Sequence, residues 1–168
     1  MRLGSKVTVI EMLPKIATTL DGQVGRALDR ILKKQGMLFH LNTRVVKAQK
    51  TAKKVKVTLE KGGETTAMAF DKLLVAVGRR PLTEGLGIED AGIETDPITG
   101  HIIVDAAYQT RVQGVYAIGD LTPGPMLAHK ASAEGIAVVE NIAGHAGEVN
   151  YDAIPSVVYT WPEVASVG

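Results

Sequence analysis

Two carboxylates in this sequence stand where a ligand-binding site needs them, each at the end of a short apolar run. Asp120 follows Val115-Tyr116-Ala117-Ile118 and Gly119, a run long enough for one buried strand. Behind it, Thr122-Pro123-Gly124-Pro125 forms a rigid turn, and a helix is expected from about Met126. Along that helix Ala128, Ala131, Ser132, Gly135 and Val139 fall three or four apart. Such a face of small residues lets a helix sit close against a sheet. Strand, tight turn and helix together present unpaired backbone N–H groups and a positive dipole end to an anionic or electron-rich ligand. Asp120 is then either a turn or cap residue, or an acceptor for the hydroxyls of a polyol or ribose. Glu11 closes the second run, Lys6-Val7-Thr8-Val9-Ile10. In a dinucleotide-binding unit an acidic residue at that place bonds the adenosine ribose and disfavours a 2′-phosphate, so NAD over NADP. The alternative is a solvated carboxylate at a strand end.

Other chemistries are excluded by what these residues lack. There is no cysteine, hence no structural disulfide and no thiolate metal site within them. The net charge of +1, with both signs interspersed, gives no footprint for nucleic acid or an acidic membrane. With four Tyr, two Phe and one Trp, no basic–aromatic interleaving suggests single-strand binding. No apolar run approaches the length of a membrane span, and Met1 to Ile10 lacks the long apolar region of a signal peptide. Apolar residues make up 45% of the 168, enough for a packed core in one ordinary domain or parts of two.

The elements that must position the carboxylates follow in order. Lys6–Glu11 reads as a parallel strand. Asp21 is a plausible N-cap for a helix reaching Gln35, with Val24, Leu28, Ile31 and Leu32 on one face and Gly36 as its stop. Leu38, Phe39 and Leu41 form another short strand. Val45-Val46, then Val55, Val57 and Leu59, then Thr66, Met68 and Phe70 alternate as antiparallel strands, turned at Lys61-Gly62-Gly63. Leu73–Val77 is a further strand, followed by Gly78-Arg79-Arg80-Pro81. Gly78 lets a nucleotide come close to the backbone; Arg79 and Arg80 are either phosphate contacts or solvated charges. Residues 82–101 are loop with a turn at Asp96 to Gly100, and Ile102-Ile103-Val104 is a short strand. Gly144, Gly147 and Asn150 mark a linker before a strand within Ile154–Tyr159.

T-x-x-x-G-V-Y-A-I-G-D, Thr110 to Asp120, resembles the second flavin-binding signature of the pyridine nucleotide-disulfide oxidoreductases. Gly78-Arg79-Arg80-Pro81 is similar to the turn where that family's chain leaves its NAD domain. G-P-M-L-A-H-K-A, Gly124 to Ala131, resembles the branch that oxidises dihydrolipoamide. The resemblance implies FAD and NAD as cofactors. It implies that Gly119 and Asp120 belong to the flavin site, with Asp120 on the ribityl chain. The backbone of Met126, Leu127, Ala128 and His129 then meets the flavin pyrimidine edge. Glu11 is implied on the NAD ribose, Val45 against its adenine, and Gly78 beside the nucleotide. The family's acid–base histidine has no counterpart among His40, His101, His129 or His145, and a His in a first helical turn is more often a hydrogen-bonding or packing residue.

The implied fold class is α/β: a partial Rossmann-like FAD/NAD-binding fold, a parallel sheet with helices plus an antiparallel β-meander, truncated at both ends. The implied division is a partial NAD-binding domain with the meander in 1–80, the returning part of an FAD-binding domain in 81–148, and the start of a dimerisation domain in 149–168. Met1–Ser5 then reads as the tail of a crossover helix. The glycine fingerprints, the C-x-x-x-x-C pair and the catalytic His–Glu pair fall outside these residues, so the expected piece is inactive by itself. Its parent is implied to be a homodimer serving 2-oxo acid dehydrogenase complexes through lipoyl domains, in the bacterial cytoplasm or the mitochondrial matrix. A nucleotide-binding or assembly module without catalysis is the alternative. In either case the central strand of the NAD sheet is expected to be supplied by another chain, a strand swap or a rearranged sheet.

Overall fold

The computed structural model describes Met1 and residues 3–168, which form two compact units, Met1–Ala76 and Val77–Gly168. The architecture is mixed α/β, with one parallel strand pair and antiparallel pairing elsewhere. No helix among the described residues is long and apolar enough to cross a membrane.

In the first unit β1 (Thr8–Ile10) pairs in parallel with β2 (Leu38–His40), Val9 opposite Phe39. Helix α1 (Gly22–Lys34) makes the crossover. Its ends are set locally. An Asp21 carboxylate oxygen accepts from the backbone N–H of Gln23 at 2.7 Å and of Val24 at 3.3 Å. At the other end Gly36 takes φ +94°, which lets Met37 N–H return to the Leu32 carbonyl at 3.0 Å. Leu28 and Leu32 are buried as the periodicity requires, but Val24 is exposed and Gly25 takes its place. A Cβ on Gly25 would stand 3.6 Å from the Ile16 carbonyl oxygen, so the first turn approaches the preceding loop through glycine and Val24 rotates outward. Of the expected helical tail Met1–Ser5, Arg2 lies outside the described residues; Gly4, at φ +84°, donates to the Met1 carbonyl in a single turn.

The meander follows as β3 (Arg44–Lys50), β4 (Val55–Lys61) and β5 (Glu64–Phe70), in the order β3-β4-β5. Gly62 and Gly63 both have positive φ, +58° and +85°, as a two-residue hairpin turn of primed type requires. Alternation puts Val57 and Leu59 into the interior. The run Leu73–Val77 forms no strand: it is irregular, with Leu74 86% and Val77 92% exposed. An apolar run becomes a buried strand only when a neighbour supplies its ladder, and none of the described residues does so.

The second unit is largely irregular until its helix. The strands expected at Ile102–Val104 and Val115–Ile118 shrink to single antiparallel bridges, Thr95↔Ile102 and Gln109↔Tyr116. Their partners are the arms of tight turns, Asp96 to Gly100 and Asp105 to Tyr108, too short to extend a ladder. A 3-10 turn, Gly119–Leu121, leads to α2 (Ala128–Ile142). After a 3-10 turn at Tyr151–Ala153 comes the hairpin of β6 (Ser156–Val158) and β7 (Val164–Ser166), with a cis peptide at Trp161-Pro162. Tyr108, Ala137 and Val138 form the core, flanked by Tyr116, Ile118 and Val149.

Candidate functional site

The turn carrying Asp120 is fixed by charges buried beneath it. Helix α2 starts at Ala128, two residues beyond Met126, and its N-cap Leu127 offers no side-chain bond to the first N–H groups. The expected inner face of Ala128, Ser132 and Val139 is corrected. Those residues are exposed, and Lys130, Glu134, Ala137 and Val138 point inward. Small residues do act at the flank: a Cβ on Gly119 would stand 3.1 Å from that of Ala131, and Gly135 lies against Ile118.

Lys130 and Glu134 are both 0% exposed and pair at 3.0 Å, one turn apart. The Lys130 ammonium also donates to the Gly119 carbonyl at 2.9 Å and to Thr122 Oγ1 at 3.1 Å, so it has three partners. Glu134 Oε2 accepts from the Gly119 N–H at 2.7 Å, and Oε1 accepts from the Tyr151 hydroxyl at 2.7 Å. Thr122 Oγ1 donates to the Gly119 carbonyl at 3.0 Å. Gly119, at φ +71°, therefore has both its backbone groups held by α2. Burial, then the bond between the Tyr151 and Tyr108 hydroxyls (3.3 Å) and the one to Glu134, push the Tyr151 phenol far above its ordinary value, so it stays protonated and donating.

Above this base the Asp120 carboxylate is half-open to solvent. Oδ2 is 2.8 Å from the Arg79 guanidinium, which also donates to the Met126 carbonyl. Arg79, left open by the sequence, thus joins the two backbone regions expected to meet a flavin. Among the described residues nothing donates to Asp120 Oδ1, which is free for a ligand hydroxyl. Leu127 N–H bonds the Pro125 carbonyl at 2.9 Å, while the first turn of α2 carries no acidic cap. His129 is a hydrogen-bonding residue: Nε2 donates to the Pro155 carbonyl at 2.8 Å. Gly78 takes φ +97° with open space around its Cα, so a side chain there is disfavoured by backbone strain rather than by crowding.

In the first unit Glu11 follows β1 directly. Its backbone N–H bonds His40 at 2.9 Å and its carbonyl accepts from Thr43 at 3.0 Å, fixing the residue at the carboxyl edge of the parallel pair. Glu11 Oε1 caps the Leu13 N–H at 2.9 Å, leaving Oε2 available. Val45 lies on β3 beside an irregularity in register before Lys47, and is exposed. A β-bulge of this kind re-aims side chains at a sheet edge.

The residues missed by sequence reasoning are Lys130, Glu134 and Tyr151. A Lys and a Glu at i and i+4 carry the pattern of a solvated pair; the only hint of burial is their setting among small residues in K-A-S-A-E-G.

Comparison with known proteins identifies the family to which these residues belong. The sequence profile of the pyridine nucleotide-disulphide oxidoreductases matches residues 1–135. Mitochondrial dihydrolipoyl dehydrogenase of Pisum sativum is 50% identical over 99% of this chain and 34% of its own length. Leghemoglobin reductase of Vigna unguiculata is 52% identical, over 99% of this chain and 32% of its own. Dihydrolipoyl dehydrogenase 3 of Pseudomonas aeruginosa is 50% identical, over 99% and 36%. The HOCl-induced flavoprotein disulfide reductase RclA from Escherichia coli superposes with a TM-score of 0.85 at 28% identity, covering 98% of this chain and 37% of that one. The chain thus spans about a third of the length of the relatives it matches. With a family profile covering most of its residues and a flavoprotein fold repeated across nearly all of them, the chain belongs to the pyridine nucleotide-disulphide oxidoreductase family.

Proposed function

We propose that these residues are the nucleotide-contacting third of a dihydrolipoyl dehydrogenase. That flavoenzyme oxidises protein-bound dihydrolipoamide and reduces NAD, in a homodimer serving 2-oxo acid dehydrogenase complexes in the mitochondrial matrix or bacterial cytoplasm. The observation that carries the reading is the Gly119–Asp120 turn, locked at the start of an uncapped helix with one carboxylate oxygen free. Residues 1–80 are assigned to the NAD-binding part, 81–148 to the FAD-binding part and 149–168 to the beginning of the dimerisation part.

Bound FAD supplies the relay of an electron pair between a dithiol and NAD. The chain's own residues bind and orient. Asp120 Oδ1 accepts from a polyol hydroxyl while Arg79 holds Oδ2. The backbone of Met126, Leu127, Ala128 and His129 is assigned to an electron-rich ring edge, where the positive end of α2 favours added electron density. Glu11 accepts from the NAD ribose, Gly78 admits the nucleotide to the backbone and Val45 offers an apolar contact for adenine. With no cysteine here, the thiol step belongs to residues outside this chain.

The test is titration of the purified chain with FAD, read by flavin fluorescence and visible absorbance. Uptake by the unsubstituted chain, weakened by about 1–3 kcal/mol in Asp120→Ala, supports the assignment. Equal flavin retention in that variant refutes the role of Asp120.

A further inference from the structure

We propose that Lys130 and Glu134 are positioning residues for Asp120: their buried ion pair holds Gly119 by both its N–H and its carbonyl, and so fixes where the next residue presents its carboxylate. The inference rests on the flavin reading above.

The reasoning starts from cost. Taking an ammonium and a carboxylate fully out of water is expensive, and an apolar pair of similar volume often gives equal or greater stability. Both side chains are 0% exposed at i and i+4 on a helix that already buries Ala137 and Val138. Methionine at both places would avoid that cost but would leave the buried Gly119 N–H and the Tyr151 hydroxyl without their acceptor. An apolar pair cannot reach across to Gly119. The peptide before Gly119 is held through its N–H by Glu134 Oε2 at 2.7 Å, and the peptide after it through its carbonyl by Lys130 Nζ at 2.9 Å. Two adjacent peptide planes are thus referred to α2, and Asp120 begins where the second one ends. Lys130 also reaches Thr122 Oγ1 at 3.1 Å, closing the far side of the same turn. Tyr151 takes up the remaining contact on Glu134 Oε1, at 2.7 Å, so the carboxylate cannot swing away from Gly119 without giving up that bond. The pair touches no ligand itself; it acts through Gly119.

The experiment compares the unsubstituted chain with Lys130→Met/Glu134→Met, with Tyr151→Phe and with Val138→Ala, measuring thermal unfolding and FAD affinity on each. Val138→Ala weakens the same helix face without touching Gly119. The expected result is a double variant with FAD bound at least about tenfold more weakly, a loss out of proportion to its fall in thermal midpoint. Val138→Ala should lower the midpoint with affinity kept. If the double variant fails to fold, Tyr151→Phe decides, because both charges stay paired while the bond that keeps Glu134 from swinging off Gly119 is lost; several-fold weaker FAD binding is expected. The assignment is overturned if either variant binds FAD as tightly as the unsubstituted chain, or if Val138→Ala loses affinity in proportion to its stability. An unsubstituted chain that takes up no FAD overturns the flavin reading and this assignment with it, a result distinct from the others.

Discussion

Replacing Lys130 alone with methionine should destabilise the second unit far more than the same change at Arg79, although each change removes one ion pair and further hydrogen bonding to a backbone carbonyl. Lys130 and Glu134 are each 0% exposed, whereas Arg79 and Asp120 are 60% and 44% exposed. Breaking a buried pair leaves the surviving charge uncompensated and costs about 3–5 kcal/mol. The lower part of that range applies here. Glu134 keeps the Gly119 N–H and the Tyr151 hydroxyl, and the Gly119 carbonyl keeps the Thr122 hydroxyl. About 3 kcal/mol is still a large share of the roughly 5–15 kcal/mol that holds a domain together. At Arg79 solvent screening limits the loss to less than about 1 kcal/mol. Denaturant unfolding of both variants, followed through the fluorescence of Trp161, the one tryptophan in the sequence, reads the difference. A Lys130→Met midpoint that coincides with that of Arg79→Met refutes the claim that this charge pair is sealed from water.

Gly119→Ala should cost about 1–2 kcal/mol from its left-handed backbone alone, plus the crowding of a Cβ 3.1 Å from Ala131. Adding Ala131→Gly should restore only the crowding part in a double-mutant cycle, and a neutral Gly119→Ala argues against the turn geometry. Hydrogen bonds from Gln23 and then Val24 hold the Asp21 carboxyl below its usual 3.8, so the capped helix gains stability above pH 3.8 and loses it as pH falls through the lower folded value. Urea midpoints measured from pH 2 to 6 should show this acid step, and Asp21→Ala should lack it. Glu11→Ala should weaken NAD binding about tenfold while FAD binding is unchanged, measured by parallel titrations; equal losses for both cofactors make Glu11 structural.

What the sequence makes legible is what short-range chemistry decides. Helix α1 is readable because Asp21 and Gly36 each act within four residues of themselves. The meander is readable because Val57 and Leu59 alternate and Gly62-Gly63 leaves one turn geometry open. Leu73–Val77 and Val115–Ile118 carry the composition of strands, yet a strand is a relation between segments, and their ladders depend on partners that composition does not name. The site divides in the same way. Asp120 at the approach to a helix, and Glu11 at the end of β1, follow from local pattern. The inward face of α2 does not, since Lys and Glu one turn apart carry the pattern of a solvated pair, and only the fold reveals the Gly119 peptide groups waiting for them. Arg79 is the same kind of case, a cation whose partner lies forty-one residues away.

The Lys130 ammonium is engaged by three partners, and both oxygens of Glu134 are already taken. Such a knot has no slack for change by halves, because either single replacement strands a charge in the interior. Drift at these two positions is therefore coupled: a lineage keeps both residues or surrenders both at once, and one that surrenders them needs a new way to pin the glycine, through a different turn or a bulkier neighbour. The identities at these two places should sort the family's flavin turns into separate structural solutions, with few sequences stranded between them.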